Sequence, residues 1–383
     1  MNITRIRTHH VRCRLEEPFG FSQWYYDTRN SLLVEIETSD GTVGWGECYG
    51  PAAVYQAAIA SHYGPLLIGE PAVEVDRLWH KMWQASLDFA RGGVMMGAMS
   101  GLDMALWDLK GKLLGRSVSE LLGGRYRNTV EAYATGMYFV QTSEDRLLDA
   151  ICTEAQTYWA RGFRAMKIKV GKNPAFDHKL IAAVREAVPD AVLMADANHA
   201  YSLSEALDIG RTLAEFGYTW FEEPLAPDHE HLFKTLQDSL SIAVAAGECE
   251  QTRYGFRRLL STGGVRIAQP DLAYCGGISE AVKIRTLASA LGVDVLPHCW
   301  GTMLNLASAV HFLATTYCEP GRAEMPEVLL ELDRTPNPLR DELFAVPLAI
   351  EGNKVHVPTA PGLGVEVDRN KLTEFEVSQT ETC

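Results

Sequence analysis

The sequence predicts an α/β protein, a (β/α)7–8 barrel of the TIM type with an N-terminal α+β capping domain that the C-terminal tail completes. From about residue 130, short apolar runs alternate with amphipathic segments, which is typical of a parallel sheet covered by helices. Polar residues close six successive runs at intervals of 23 to 27 residues. That interval fits a barrel of ~200–250 residues. An open doubly wound sheet is the alternative, but no glycine-rich phosphate turn follows the first strand.

The region before the barrel has two parts. The first 50 residues alternate polar and apolar positions as β-strands do, with SDG as a hairpin turn signal. Residues 52–122 have helical periodicity, and SGLDMALWDLKGKLLG places four leucines on one stripe. The stretch LLGGRYRN then breaks the pattern. We therefore expect a capping domain at residues 1–125, the barrel at 126–345, and a turn-rich tail at 346–383 that returns to the cap.

Composition restricts the class of function. The 383 residues are 47% hydrophobic and carry a net charge of −14, which argues against nucleic acid or an anionic membrane as a partner. The eight cysteines include no CxxC pair, so we expect reduced thiols and neither a disulfide framework nor a zinc site. The N-terminus lacks the apolar segment of a signal peptide, and no run reaches the ~18 apolar residues of a membrane span. These features predict a soluble cytoplasmic protein that binds a small molecule.

Three acidic residues close consecutive predicted strands, namely Asp196, Glu222 and Glu248. Active sites of such barrels lie at the carboxyl ends of the strands, so these side chains are expected to converge. Each could instead cap the helix that follows it. Three carboxylates in register, however, would repel one another without a cation. Hard oxygen donors without Cys or His favour Mg²⁺, with Mn²⁺ second.

The run RAMKIKVGKN places Lys167 and Lys169 two positions apart on the strand before Asp196. Residues two apart on a strand face the same side, so both ammonium groups are expected in the barrel mouth, the end formed by the carboxyl ends of the strands. Neighbouring positive charges should lower their pKa values, which suits a lysine to act as a general base. The alternative is that the lysines only balance the acids as salt bridges.

Asp271 and His298 follow the next two predicted strands. A carboxylate beside an imidazole fixes its tautomer and raises its basicity, so we expect a dyad across the mouth from Lys169. Two bases flanking a cation suit removal of a proton alpha to a carboxylate, because the cation stabilises the resulting enediolate. Reprotonation from the opposite face would give epimerisation, whereas loss of a β-leaving group would give dehydration or lactone opening.

The motifs KIK (167–169), DAN (196–198), EEP (222–224), GE (247–248), QPD (269–271) and PHCWG (297–301) together resemble the mandelate racemase subgroup of the enolase superfamily. The resemblance covers nearly the whole chain. It implies that Lys169 is a base tuned by Lys167, that the three acids bind Mg²⁺, and that Asp271 and His298 supply the second base. It also implies a late glutamate that hydrogen-bonds the substrate carboxylate, for which Glu331 is the candidate and Glu324 and Glu327 are alternatives. Asn198 would lie beside the metal ligands, and the family resemblance suggests a homo-oligomer, commonly an octamer.

Within that family, PHCWGT and ELDRTPNPLR look most like acid-sugar enzymes of the galactarolactone cycloisomerase type. Substrate choice in such enzymes rests on a cap loop, here EPFGFSQWYYD (17–27). Its aromatic residues Phe19, Trp24 and Tyr25 are expected to cover the pocket, and Trp300 to line it; an ordinary surface loop is the alternative. A lyase or cycloisomerase is the leading hypothesis, a racemase or epimerase using the same residues is second, and a non-catalytic scaffold is third.

Overall fold

The computed structural model describes residues 1–317 and 328–383. The chain begins with an antiparallel sheet in which each strand pairs with the next. Its strands are β1 (Ile3–Gly20), β2 (Tyr25–Thr38) and β3 (Val43–Cys48). The turn from β2 to β3 passes through Gly41, whose φ of +83° is readily adopted only by glycine. This confirms the SDG turn that the sequence predicts.

Helices then cover one face of this sheet. They are α1 (Ala52–Ala58), followed by a π-helical turn, α2 (Gly64–Leu67), α3 (Val75–Ser86), α4 (Val94–Leu114) and α5 (Val118–Leu121). Helix α4 is buried on almost every side and lies directly against β3. A Cβ atom at Gly46 of β3 would come within 2.0 Å of the Gly101 carbonyl oxygen, so only glycine permits this approach. The sheet and the helices of the cap therefore pack directly against each other as a two-layer domain.

The second region contains, within the described residues, eight mutually parallel strands. They are β4 (Thr129–Thr135), β5 (Ala165–Lys169), β6 (Val192–Asp196), β7 (Trp220–Glu222), β8 (Ala243–Ala246), β9 (Ile267–Ala268), β10 (Asp294–Val295) and β11 (Leu329–Asp333). Pairing follows chain order from β4 to β10, and β11 returns to pair with β4. This is the barrel that the repeating interval predicts.

Seven described helices alternate with these strands on the outside of the barrel. They are α6 (Glu144–Ala160), α7 (Pro174–Ala187), α8 (Leu203–Glu215), α9 (Phe233–Asp238), α10 (Thr252–Ser261), α11 (Gly277–Ala290) and α12 (Met303–Ala314). Among the helices of residues 1–317 and 328–383, none combines the length and apolar character that crossing a membrane requires.

A packed layer fills the barrel interior below the mouth. Each of six neighbouring strands contributes one side chain to this layer: Tyr133, Ala165, Met194, Trp220, Ala245 and Ile267. Large residues lie beside small ones, so the layer closes without a channel. It forms the floor on which the polar residues of the mouth rest.

The tail divides between the two regions. It comprises α13 (Pro338–Asp341), β12 (Phe344–Val346), β13 (Ile350–Glu351), β14 (Lys354–His356), β15 (Glu366–Val367), α14 (Arg369–Phe375) and β16 (Glu376–Thr382). Strand β16 pairs with β1 in the cap, as expected. The β13–β14 hairpin instead extends the barrel sheet, because β14 pairs with β4. The tail therefore returns only in part to the cap, and the domain boundaries expected from the sequence stay a prediction.

Candidate active site

Strand register brings the predicted acids together. Lys169 lies opposite Asp196, and Asp196 lies opposite Glu222, each as the last residue of its strand. Glu248 lies two residues beyond the end of β8, after a turn at Gly247. Oxygen atoms of Asp196, Glu222 and Glu248 all lie within 4.8 Å of one another. The geometric convergence that the sequence predicts is therefore present at the barrel mouth.

The carboxylate cluster fits a divalent cation. Glu248 Oε2 is buried and has no hydrogen-bond partner. Burial, together with repulsion from Asp196 and Glu331, raises the pKa of Glu222 to about 7 despite the attraction of Lys167, so a further positive charge would favour the ionised form of the cluster. All three donors are hard oxygens, the ligand type that Mg²⁺ prefers. Asn198 lies beside them as expected, with its backbone N–H donating to Asp196 Oδ1 at 2.9 Å.

The two lysines lie in the mouth but pair with different acids. Lys169 Nζ donates to Asp196 Oδ2 at 2.5 Å. Lys167 is fully buried and bonds to Glu222 and, at 2.7 Å, to Glu331. Burial acts to lower the pKa of Lys167, but attraction to these two carboxylates outweighs it and holds the pKa well above its usual value. The expectation of a lowered pKa is thus wrong for Lys167, because β7 and β11 each bring a carboxylate to it.

Asp271 and His298 form the expected dyad. Both lie three residues beyond their strands, and His298 Nδ1 donates to Asp271 Oδ2 at 2.6 Å. The other ring nitrogen lies 3.6 Å from Glu248 Oε2. Burial opposes the charged form, but Glu248 and Asp271 raise the pKa of His298 to about 10. The imidazole is therefore held as a cation between two acids.

Glu331 lies inside the mouth on β11, but both of its oxygens are already engaged. Oε1 accepts from Thr135 Oγ1 at 2.7 Å and Oε2 accepts from the Cys299 N–H at 3.0 Å. Although burial acts to raise it, Lys167 and His298 lower the pKa of Glu331 to about 2. The predicted hydrogen bond from Glu331 to a substrate carboxylate would need a protonated Glu331, and that role stays a prediction. The alternatives Glu324 and Glu327 lie outside the described residues.

The cap loop lies against the barrel mouth. The aromatic residues that it turns toward the mouth are only in part those that the sequence predicts. Phe19 is buried against Tyr138 and Trp300, with ring centroids 5.0 and 6.3 Å away. Trp24 and Tyr25, however, are 63% and 38% exposed and lie outside the cavity lining, so the expectation that they cover the pocket is wrong here. The chain turns between Phe21 and Trp24, and strand alternation resumes at Tyr25. As a result Tyr26, and not Trp24 or Tyr25, faces the cavity.

A cavity of about 440 Å³ lies between the cap and the barrel mouth. It is bounded by Glu248 from the acidic cluster and by Trp300, as expected, and also by Tyr26, Arg29 and Tyr49. The sequence analysis missed these last three. Arg29 lies 4.3 Å above the Trp300 ring and bonds to Asp333 at 2.9 Å. Regular alternation along β2 could have indicated Tyr26, whereas the other two depend on how the cap docks.

A small cavity above a carboxylate cluster with flanking bases defines an enzyme of the enolase superfamily. Residues 3–123 match the family model described as mandelate racemase / muconate lactonizing enzyme, N-terminal domain, and residues 150–371 match enolase C-terminal domain-like. The chain belongs to the mandelate racemase / muconate lactonizing enzyme family, as its motifs indicate.

Individual relatives align over almost the whole chain. The D-galactarolactone cycloisomerase of Agrobacterium fabrum strain C58 is 45% identical over 98% of this chain and 99% of its own. The crystal structure of the 3,6-anhydro-D-galactonate cycloisomerase from Zobellia galactanivorans is 41% identical, with a TM-score of 0.89 over 99% of this chain and 100% of that one. A mandelate racemase/muconate lactonizing protein from Paracoccus denitrificans PD1222, complexed with magnesium, is 29% identical, with a TM-score of 0.84 over 100% and 99% of the two chains.

Proposed function

We propose that this enzyme is a Mg²⁺-dependent cycloisomerase of a sugar-derived carboxylic acid. In this substrate, the ring oxygen of a lactone or a cyclic ether is bonded to the carbon next to the acidic α carbon. The observation that carries the proposal is the placement of Lys169 and the His298–Asp271 dyad around one carboxylate cluster. Two relatives with at least 41% identity are cycloisomerases of ring-containing sugar acids, which supports the same substrate class.

Asp196, Glu222 and Glu248 would hold the cation, and Mn²⁺ could replace Mg²⁺ at such oxygen donors. A cation held there would offset the second negative charge that develops on the substrate carboxylate when the proton is removed. The residues of the chain supply the remaining steps. Lys167 offsets the charge of Glu222 and Glu331 at the floor of the site.

Lys169 is suited to accept the proton from the carbon alpha to the carboxylate. As that C–H bond breaks, a C=C bond forms and the β C–O bond of the ring breaks, so the ring oxygen leaves with the electron pair. His298, held as a cation by Asp271, is suited to return a proton to the leaving oxygen or to the enol carbon. The enol that remains loses its hydroxyl proton and gains a proton on the β carbon, which gives a 3-deoxy-2-keto acid that is an isomer of the substrate.

The test is proton NMR in D₂O with Mg²⁺ and a panel of aldarolactones and anhydro-sugar acids. We expect one panel member to yield a 3-deoxy-2-keto product, and the Lys169→Met and Asp196→Asn variants to yield none. Deuterium entering recovered substrate with inversion, without a keto product, would instead establish the racemase alternative. An Asp208→Asn variant, altered at an exposed acid on the outer helices, is the matched control.

We expect the active form to be a homo-oligomer, with an octamer as the leading expectation from the family resemblance. Size-exclusion chromatography with light scattering measures this directly. A monomer that turns over substrate at the full rate would contradict the expectation.

A further inference from the structure

A second group of donor atoms lies beside the carboxylate cluster. His199 follows β6 and Cys249 follows β8, and their Nε2 and Sγ atoms are 3.5 Å apart although the residues are 50 positions apart in the chain. A carboxylate oxygen of Glu248 completes a set of three donors within 4.8 Å of one another. No spacing in the sequence predicts this set.

The distances match a tetrahedral zinc site. Typical Zn–N and Zn–S bonds of about 2.0 and 2.3 Å, at a tetrahedral angle, separate nitrogen and sulfur by about 3.5 Å. The observed separation is 3.5 Å. Imidazole and thiolate are ligands that Zn²⁺ prefers and Mg²⁺ does not, so this group differs in selectivity from the all-oxygen cluster.

A carboxylate lies close to the ring nitrogen of His199 that faces away from Cys249. Glu223 Oε2 is 3.3 Å from His199 Nδ1, at ion-pair distance but without a hydrogen bond, while the other oxygen of Glu223 accepts from the Gly247 N–H at 2.7 Å. A carboxylate behind a ligating histidine is the usual second layer of a zinc site, because it fixes the ring and favours a lone pair on the opposite nitrogen. His199 and Glu223 also have positive φ values of 69° and 39°, a costly conformation for residues other than glycine.

Access and an open coordination position are also present. Cys249 is exposed and, with Glu248, lines the cavity above the barrel mouth. Glu248 Oε2 is buried without a hydrogen-bond partner. A metal ion entering from the cavity would therefore meet Glu248 and Cys249, and His199 Nε2, 3.5 Å from Cys249 Sγ, would complete the set of three protein donors. Solvent would supply the fourth ligand.

We infer that His199, Cys249 and Glu248 form an inhibitory site for Zn²⁺ and similar thiophilic divalent cations. Binding replaces the Sγ–Nε2 contact with two metal–ligand bonds, releases the thiol proton of Cys249 to solvent, and engages Glu248, one of the three acids of the Mg²⁺ cluster. Zn²⁺ therefore opposes Mg²⁺ through a shared ligand. This inference concerns metal selectivity and does not depend on which sugar acid is the substrate.

The test is a titration of the full chain with Co²⁺ as the probe, in excess Mg²⁺ and without substrate. Coordination by Cys249 gives a thiolate-to-cobalt charge-transfer absorption that saturates at one equivalent, whereas binding to carboxylates alone gives none. We expect Cys249→Ser to abolish the band, Cys383→Ser to retain it, and Glu223→Gln to weaken Co²⁺ binding ~10–100-fold. Circular dichroism and a thermal melt check that each variant is folded.

The absence of a charge-transfer band in the wild-type chain would overturn the inference, as would a band that survives in folded Cys249→Ser protein. With an active substrate, Zn²⁺ inhibition that Mg²⁺ relieves should be at least tenfold weaker in Cys249→Ser than in Cys383→Ser. Since the absorption is measured without turnover, a failure of the proposed reaction would leave this result unaffected.

Discussion

His298 Nδ1 lies 2.6 Å from Asp271 Oδ2, and Asn305 holds that carboxylate from the other side. The Asn305 side-chain amide lies 3.2 and 3.3 Å from the two Asp271 oxygens. Asn305 belongs to α12, the helix that begins just after the loop carrying His298. The imidazole is therefore oriented by a carboxylate that is itself fixed by the next helix, and rotation of either group would break buried hydrogen bonds.

Replacing Asp271 with Asn should lower kcat at least ~10²-fold, because an amide neither fixes the tautomer of His298 nor stabilises its charged form. KM should change little, since Asp271 does not line the cavity. Steady-state kinetics on the substrate found by NMR provide the measurement. Asp208→Asn, at an exposed acid, should behave as wild type. A kcat within a factor of three of wild type for Asp271→Asn would contradict a role for the dyad.

Mg²⁺ should stabilise the protein against heat, because an ion that binds only the folded state adds ~3 kcal/mol at about 100 times its Kd. The melting temperature should rise with Mg²⁺ and return to its starting value with EDTA. Glu248→Gln should abolish most of the rise, since it removes a charged ligand. Glu250→Gln, two residues further along, should keep it. An equal rise in both variants would place the ion elsewhere.

Glu47 should couple the cap to the barrel mouth. This buried carboxylate of β3 accepts from Ser31 Oγ and from Thr302 Oγ1, both at 2.6 Å, and from the Asn305 N–H at 3.2 Å. Glu47→Ala leaves these donors unpaired and should lower the free energy of unfolding by at least ~2 kcal/mol. Urea unfolding measures this free energy, with Glu37→Ala of β2 as the control. A loss no larger than that of Glu37→Ala would show that Glu47 does not hold the two regions together.

Acid should destabilise the fold through His311. This buried imidazole accepts from the Ser119 N–H at 3.2 Å and donates to the Leu363 carbonyl at 3.1 Å, and burial lowers its pKa to about 4. In the unfolded chain His311 binds a proton below about pH 6.5, whereas in the folded chain it becomes protonated only below about pH 4. Stability is therefore complete above pH 6.5 and is lost as the pH falls, by on the order of 3 kcal/mol at pH 4.

Urea unfolding between pH 4 and 7.5 measures this dependence. A His311→Gln variant should be less stable at neutral pH but should lose less stability on acidification than wild type. His229→Gln, altered on an exposed 3₁₀ turn, should retain the wild-type slope. If the His311→Gln and wild-type curves ran parallel, His311 would not be the group responsible.

The sequence predicted the parts of the site that follow from regular strand periodicity. Lys167 and Lys169 share a face because they are two apart on β5, and register then aligns Lys169, Asp196 and Glu222. The Lys167 pKa was mispredicted because its direction depends on direct pairing with Glu222 and also with Glu331, which reaches it from β11, far along the chain. Local pattern carries no information on such a partner.

Residues governed by loop geometry and docking were the least predictable. Trp24 and Tyr25 belong to an aromatic run, but the turn before β2 decides which rings face the cavity. The pairing of His199 with Cys249 needs two turns with unusual backbone angles, on separate strands. These contacts arise from tertiary structure, and composition or spacing alone does not indicate them.

Strand β16 completes the cap sheet by pairing residues 376–382 with β1, including Ile6 opposite Thr382. During translation, every barrel strand leaves the ribosome before this partner is made. The growing chain therefore carries β1 with one unpaired edge through the synthesis of the whole barrel, and such an edge invites association with other chains. A chain cut shortly before residue 376 would therefore keep its barrel but expose the backbone donors and acceptors of β1 along one edge, where another chain could pair.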